Sequence, residues 1–166
     1  MTITFFWHLP TAGDGRYGDA ALKLRGECDA DGQSALTGVS DPRGRRFNYY
    51  DYLHQITRAA ELAGFDGIRI PDNGQGEEPW IVAGYIAPAT RKLTLLTEFA
   101  ASRGSAVYAA KNAASYQRYT NGRFAWQIHV GGDAEQRRRT GDFIADTDIN
   151  SRIEEFVTVA RGVFTQ

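Results

Sequence analysis

Polar side chains that can do chemistry stand at the ends of four apolar segments of this chain. His8 lies near the end of the first segment, Asp72 just past the second, Glu98 late in the third, and Gln127 and His129 late in the fourth. In parallel strand–helix folds the carboxyl ends of the strands open on one face, and active sites lie there. The pattern therefore predicts a site that collects polar groups from four separate strands.

Each of these residues also has a simpler interpretation. A single histidine in a strand more often has a structural role, and Glu98 can pair with Arg69 or Arg103. The chain has three histidines but no His-x-His pair, so metal-dependent hydrolysis is a distant alternative. The Gly-x-Ser-x-Gly motif of serine hydrolases is also absent. Gly131-Gly132 would allow a ligand to approach the backbone, although two glycines in a turn are a weak signal.

The elements that position these groups alternate between strand and helix. Residues 3–9 alternate in side-chain direction and predict a buried strand that ends at Pro10, and residues 11–47 predict a long loop. Apolar periodicity predicts the later elements. They are helix 49–64, strand 65–71, helix 80–90 interrupted at Pro88, strand 92–102, helix 105–120, strand 123–130 and helix 149–164.

Four strand–helix units have the rhythm of a (β/α)₈ barrel. A complete barrel typically takes about 250 residues, whereas this chain has 166. We therefore expect an α/β fold with about four βα units, the N-terminal half of a TIM barrel. Residues 1–166 are expected to form a single domain.

Composition excludes several classes of function. The formal net charge of −1 provides no field for nucleic acid or for an anionic membrane. Cys28 is the single cysteine, so neither an intrachain disulfide nor a multi-cysteine zinc site is expected. Neither a signal peptide nor an apolar stretch of about 18 residues is recognisable, which favours a cytoplasmic protein. The arginine run 137–139 predicts a solvated surface rather than an anion site.

Several sequence blocks carry a resemblance to a known family. They are FFWHLPTAGDG at 5–15, GFDGIRIP at 64–71, Glu78-Pro79-Trp80, and NGRFAWQIHVGGD at 121–133. In order and spacing they resemble the bacterial-luciferase-like flavin monooxygenases, and most nearly the alkanesulfonate monooxygenases. The resemblance covers most of the chain except a loop insertion at 16–46.

The resemblance implies a chemistry and a set of partners. Members of the family have a (β/α)₈ barrel and use reduced FMN, which a separate NAD(P)H-dependent flavin reductase supplies; some relatives use a deazaflavin. They use O₂ to insert one oxygen atom into a small organic substrate, and the sulfonate branch cleaves a C–S bond. The cofactor carries the difficult chemistry, and the protein positions it and excludes water. A homo-oligomer is also expected.

The resemblance also assigns residues to the cofactor and substrate. It places the ends of the third and fourth strands along the flavin ring. The cofactor residues that it implies are Thr97, Glu98, Phe99, Ala100, Gln127, His129, Val130 and Gly131. Gln127 stands where relatives often have an asparagine, and His129 where luciferases have a reactive cysteine. His8, Asp72 and Asn73 would border the substrate, and His8 and His129 are the candidate catalytic residues.

Four positions depart from the sulfonate branch. Ala12, Val130 and Gly132 stand where the sulfonate enzymes have a histidine, a threonine and a serine. Gly76 stands at or near the position of a cysteine in those enzymes. These departures favour a different sulfur or carbon substrate. In the family the FMN phosphate and the main substrate groups come from the second half of the barrel. Three interpretations follow: a fragment of a longer protein, a half barrel completed by a second copy or a partner chain, or a non-catalytic half-barrel module.

Overall fold

The protein forms a parallel sheet covered by helices on one face. The computed structural model describes residues 3–11, 49–72 and 76–164. The strands are β1 (Phe6–His8), β2 (Gly67–Ile70), β3 (Thr94–Ala100) and β4 (Phe124–His129). The helices are α1 (Tyr49–Leu62), α2 (Pro79–Ile86), α3 (Ala106–Thr120), α4 (Ala134–Arg139) and α5 (Ile149–Phe164). The strands pair in chain order, all parallel. This confirms the predicted α/β fold with four βα units.

The first strand differs from its prediction. Only Phe6–His8 of the predicted strand 3–9 is a strand, and it is exposed rather than buried. Among the described strands β1 pairs with β2 alone, so Phe6 and Trp7 keep 37% and 45% of their surface accessible. Leu9, one residue beyond the strand, is fully buried. The alternating pattern therefore identified the strand but not its burial, because burial depends on what covers each face.

Alternation within the strands divides the sheet into two faces. Ile68, Ile70 and Leu95 face the helices and pack with α1 and α2. Phe99 and Trp126 also face the helices, because both contact Phe156 of α5. The opposite face carries the residues at alternate positions. Its polar residues include His8, Arg69, Glu98, Gln127 and His129. The chemistry-bearing residues thus share the face opposite the helices.

An aromatic cluster joins α2 and α3 to the later strands. The Trp80 ring lies 5.5 Å from Phe99, 5.2 Å from Phe124 and 5.8 Å from Trp126, centroid to centroid. The Tyr116 hydroxyl donates a hydrogen bond to the Trp80 carbonyl. Edge-to-face aromatic pairs of this kind are worth about 1 kcal/mol each beyond their burial. The cluster fixes the helix layer behind β3 and β4.

A single carboxylate organises the entry into β3 at the opposite end of the sheet. Glu61 accepts hydrogen bonds from the amides of Arg91, Lys92 and Leu93, with N–O distances of 2.8, 2.7 and 3.3 Å. Partial burial alone would raise the pKa of Glu61, but these three amides and the charge of Arg123 outweigh it and hold that pKa below its usual value. The ionised form is therefore the stabilising form.

We predict that Glu61→Gln lowers the free energy of unfolding by about 1 kcal/mol at pH 7, because the amide loses charge-assisted bonds. Because the pKa of Glu61 is lower in the folded protein than in the unfolded chain, where it is about 4.3, its ionised form stabilises the fold above that pH. This stabilisation is lost as the pH falls through the pKa of the folded protein. The difference between the two proteins should therefore shrink below about pH 4. Urea unfolding over a pH series measures it. Glu154→Gln, on the exposed surface of α5, should show no such trend.

Candidate functional site

A cavity of about 630 Å³ opens at the carboxyl ends of β2, β3 and β4. We call it the strand-end pocket. Its lining residues are Arg69, Asp72, Glu98, Arg103, Gln127, His129, Gly131, Gly132, Gln136, Arg139 and Thr140. Four predicted cofactor residues are therefore together in one cavity, Glu98, Gln127, His129 and Gly131, with Asp72 from the predicted substrate side. Its volume is in the range of small-molecule sites.

Arg69 connects the first three strands within this site. Its guanidinium donates to His8 Nδ1 at 2.8 Å and forms an ion pair with Glu98. The other Glu98 oxygen accepts the backbone N–H of Asp72 at 3.0 Å. Glu98 is 7% exposed, so its charge needs these partners. The simpler interpretation of Glu98, as the partner of Arg69, is thus confirmed.

Asp72 lies at the junction of three strand-to-helix loops. Its carboxylate is 2.6 Å from the Arg103 guanidinium and 3.3 Å from His129 Nε2. Burial alone would raise the pKa of Asp72, but the contacts with His129 and Arg103 outweigh burial and hold that pKa below its usual value. Asp72 is therefore a carboxylate at neutral pH, and it acts here as an acceptor rather than an acid.

Gln127 differs from its charged neighbours because its carboxamide takes no part in the ion pairs and hydrogen bonds around Glu98 and Asp72. The side chain is exposed, and it makes no hydrogen bond to any residue that the structure describes. In register it lies beside Glu98 of β3, and it precedes His129 by two residues on the same face. A carboxamide offers both a donor and an acceptor. It is a hydrogen-bonding group on the floor of the pocket that none of the described residues uses.

The remaining predicted residues fall in different places. Ala100 shares the pocket face, beside His129 in the sheet register. Thr97 is fully buried and, like Phe99, is on the helix side of β3. Val130 lines a separate, small cavity near α5. Asn73 lies outside the described residues, as do Ala12, Cys28 and the 16–46 insertion.

The prediction of a solvated surface for the arginine run 137–139 fails at Arg137 but holds for Arg138 and Arg139, which are exposed. The run forms part of α4, and Arg137 is only 4% exposed. Its guanidinium donates to the Gly132 carbonyl at 2.9 Å and pairs with Asp142, at 3.5 Å, and with Asp146. The missed signal is the spacing of Asp133 and Gln136, which form a capping box and start a helix after β4. Arg137 thereby holds the glycine turn that lines the pocket.

We predict that Arg137→Ala lowers the free energy of unfolding by about 3 kcal/mol, because it leaves the buried Asp142 carboxylate without its cation. Arg138→Ala is the matched control, since Arg138 is the exposed neighbour in the same run. Its effect should stay within about 0.5 kcal/mol. Urea denaturation of the two variants measures the difference. Equal destabilisation would contradict the structural role of Arg137.

Within residues 3–11, 49–72 and 76–164, no three histidine, cysteine, aspartate or glutamate side chains are grouped closely enough to hold a metal ion. In the same part of the chain, no helix has the length and apolar character needed to cross a bilayer.

The sequence as a whole matches the luciferase-like monooxygenase family over residues 11–166. The chain belongs to this family. The match includes β2 to β4 and therefore every lining residue of the strand-end pocket.

Solved structures show the same fold at low sequence identity. EDTA monooxygenase from Chelativorans sp. BNC1 is 21% identical, with a TM-score of 0.60 over 74% of this chain and 33% of that chain. A long-chain alkane monooxygenase is 14% identical, with a TM-score of 0.65 over 96% of this chain and 39% of that one. The oxygenating constituent of 3,6-diketocamphane monooxygenase of Pseudomonas putida was solved with FMN and is 14% identical. Its TM-score is 0.58 over 96% of this chain and 39% of that chain. The chain thus spans between a third and two fifths of each relative.

Proposed function

We propose that the strand-end pocket holds the ring of a reduced flavin, FMN in the first instance, and that the chain belongs to an FMN-dependent monooxygenase. The observation that carries the proposal is the Gln127 carboxamide, which is exposed on the pocket floor and has no hydrogen-bond partner among the described residues. A flavin ring edge offers both donors and acceptors to such a group. The relatives include one solved with FMN.

The pocket residues fit a flat ring. Gly131 has a φ of +90°, and a Cβ there would lie 3.3 Å from the Ala100 Cβ. A Cβ at Gly132 would collide with the Gln136 side chain, so the two glycines allow the turn to pack against Ala100 and Gln136. The turn also lines the pocket. Ala100 adds a small apolar side chain on the same face as Gln127. A wall of small residues beside the Gln127 carboxamide suits the ring rather than the phosphate of the cofactor.

The charged residues of the pocket have a supporting part in this proposal. When bound, reduced FMN would supply the activation of O₂. Gln127 would orient the ring, and Glu98 and Asp72, both already paired with arginines, would keep the polar rim fixed. The aromatic cluster around Trp80 excludes water from behind the sheet. The chain's contribution is thus binding, orientation and exclusion of water.

The proposed substrate is a small organic molecule, with organosulfur compounds, including alkanesulfonates, as one class. His8 borders the pocket through its contact with Arg69, and Asp72 lies on the same rim.

O₂ and an NAD(P)H-dependent flavin reductase are the proposed partners, with a deazaflavin as the alternative cofactor. We also propose a cytoplasmic homo-oligomer. The alternative function is a non-catalytic half barrel, favoured by the exposed face of β1.

Anaerobic titration with reduced FMN tests the proposal. Gln127→Ala should weaken binding about tenfold, because one hydrogen bond to a ring edge is worth about 1 kcal/mol or slightly more. Arg138→Ala, an exposed change outside the pocket, should leave the dissociation constant unchanged. Light scattering on the same samples gives the mass of the binding species. Equal effects of the two changes, or no saturable binding by the wild type, would count against the flavin site.

A further inference from the structure

Three loops that are far apart in sequence meet at the Asp72 carboxylate. Asp72 follows β2, Arg103 ends the short 3₁₀ turn after β3, and His129 is the last residue of β4. Arg103 Nη1 donates to Asp72 Oδ1 at 2.7 Å, and His129 Nε2 is 3.3 Å from Asp72 Oδ2. The carboxylate side chain is 6% exposed. Its charge is therefore offset by these neighbours rather than by water.

The other ring nitrogen of His129 is committed to the backbone. The N–H of Gly131 donates to His129 Nδ1 at 2.9 Å, so Nδ1 carries no proton in this arrangement. The ring proton is then on Nε2, which is shielded from solvent and lies 3.3 Å from Asp72 Oδ2, a close contact without hydrogen-bond geometry. The partner of one ring nitrogen sets the tautomer at the other. Neither nitrogen is left open to the pocket as a base.

We propose that Arg103 is a positioning residue of the strand-end pocket: it holds the Asp72 carboxylate against His129 and so fixes the ring of His129 and the Gly131 turn. This inference rests on the proposed function only for the identity of the ligand in the pocket. The sequence predicts Arg103 as a possible partner of Glu98, whereas in the structure it pairs with Asp72. In this proposal His129 is a positioned wall of the pocket rather than a catalytic base.

Arg103 lies where two cavities adjoin, which supports its role as a positioning residue. Arg103 lines the strand-end pocket and also a second cavity of about 420 Å³ between the first turns of α2 and α3, where Trp80 and Tyr108 contribute to the lining. Asp72, its ion-pair partner, lines the strand-end pocket but not the second cavity. Loss of the guanidinium would therefore remove one restraint on the Asp72 carboxylate, loosen its contact with His129 and weaken the hydrogen bond from Gly131 to His129.

Nuclear magnetic resonance tests the chain of contacts without any flavin. In the ¹⁵N-labelled protein, a scalar coupling between the Gly131 amide nitrogen and His129 Nδ1 reports their hydrogen bond, and amide exchange reports its strength. We expect the coupling in the wild type and its loss in Arg103→Gln, with Gly131 exchange about tenfold faster. Arg103→Lys keeps the charge and should stay within about threefold of the wild type. Arg118→Gln, on the exposed face of α3, should change neither readout.

Two outcomes would overturn the proposal. One is the absence of the coupling in the wild type; the other is an Arg103→Gln spectrum that matches Arg118→Gln at Gly131 and His129. If Arg103→Gln does not fold, Asp72→Asn carries the same expectation, because the neutral amide no longer attracts His129 as strongly. Reduced FMN is then titrated into the same variants. Failure of the wild type to bind FMN would defeat the proposed function, while the coupling would still decide the role of Arg103.

Discussion

The site depends on the parallel register of β2, β3 and β4. In that register Glu98 lies beside Gln127 and Ala100 beside His129, and alternation turns all of them away from the helices. A shift of one residue in β3 would exchange Glu98 with Phe99 between the two faces. It would bury a carboxylate against Phe156 and expose an aromatic ring to the pocket. The apolar contacts of Phe99 on the helix side therefore also specify the polar side of the strand.

Charge pairing then determines which polar group remains for a ligand. Glu98 is used by Arg69 and by the Asp72 amide, and Asp72 is used by Arg103 and His129. Buried charges are stable only when paired, so the rim is a supporting network before it is a reactive one. The carboxamide of Gln127 stays outside this network. For the same reason the acids of this site support the pocket structurally and are poorly placed to transfer protons.

Much of the fold follows from local sequence signals. The helix at 49–64 is found at Tyr49–Leu62, ended by Gly64 with a φ of +83°, and Asn121 adopts the left-handed conformation after α3. These elements were predictable because their signals are local. The pairing of Arg103 with Asp72 and the burial of Arg137 were not, because each depends on loops that meet only in three dimensions. The order of the polar residues along the strands predicted a shared rim, but not which of them would be mutually satisfied.

The most direct test of the central claim is a map of amide chemical shifts on addition of reduced FMN under anaerobic conditions. We predict the largest changes at the side-chain amide of Gln127 and at the backbone amides of Gly131 and Gly132, which line the strand-end pocket. The Trp80 indole, which lines the second cavity, should change little. Largest changes at Trp80 and Tyr108, or no saturable change anywhere in the spectrum, would contradict the assignment of the flavin ring to the face opposite the helices.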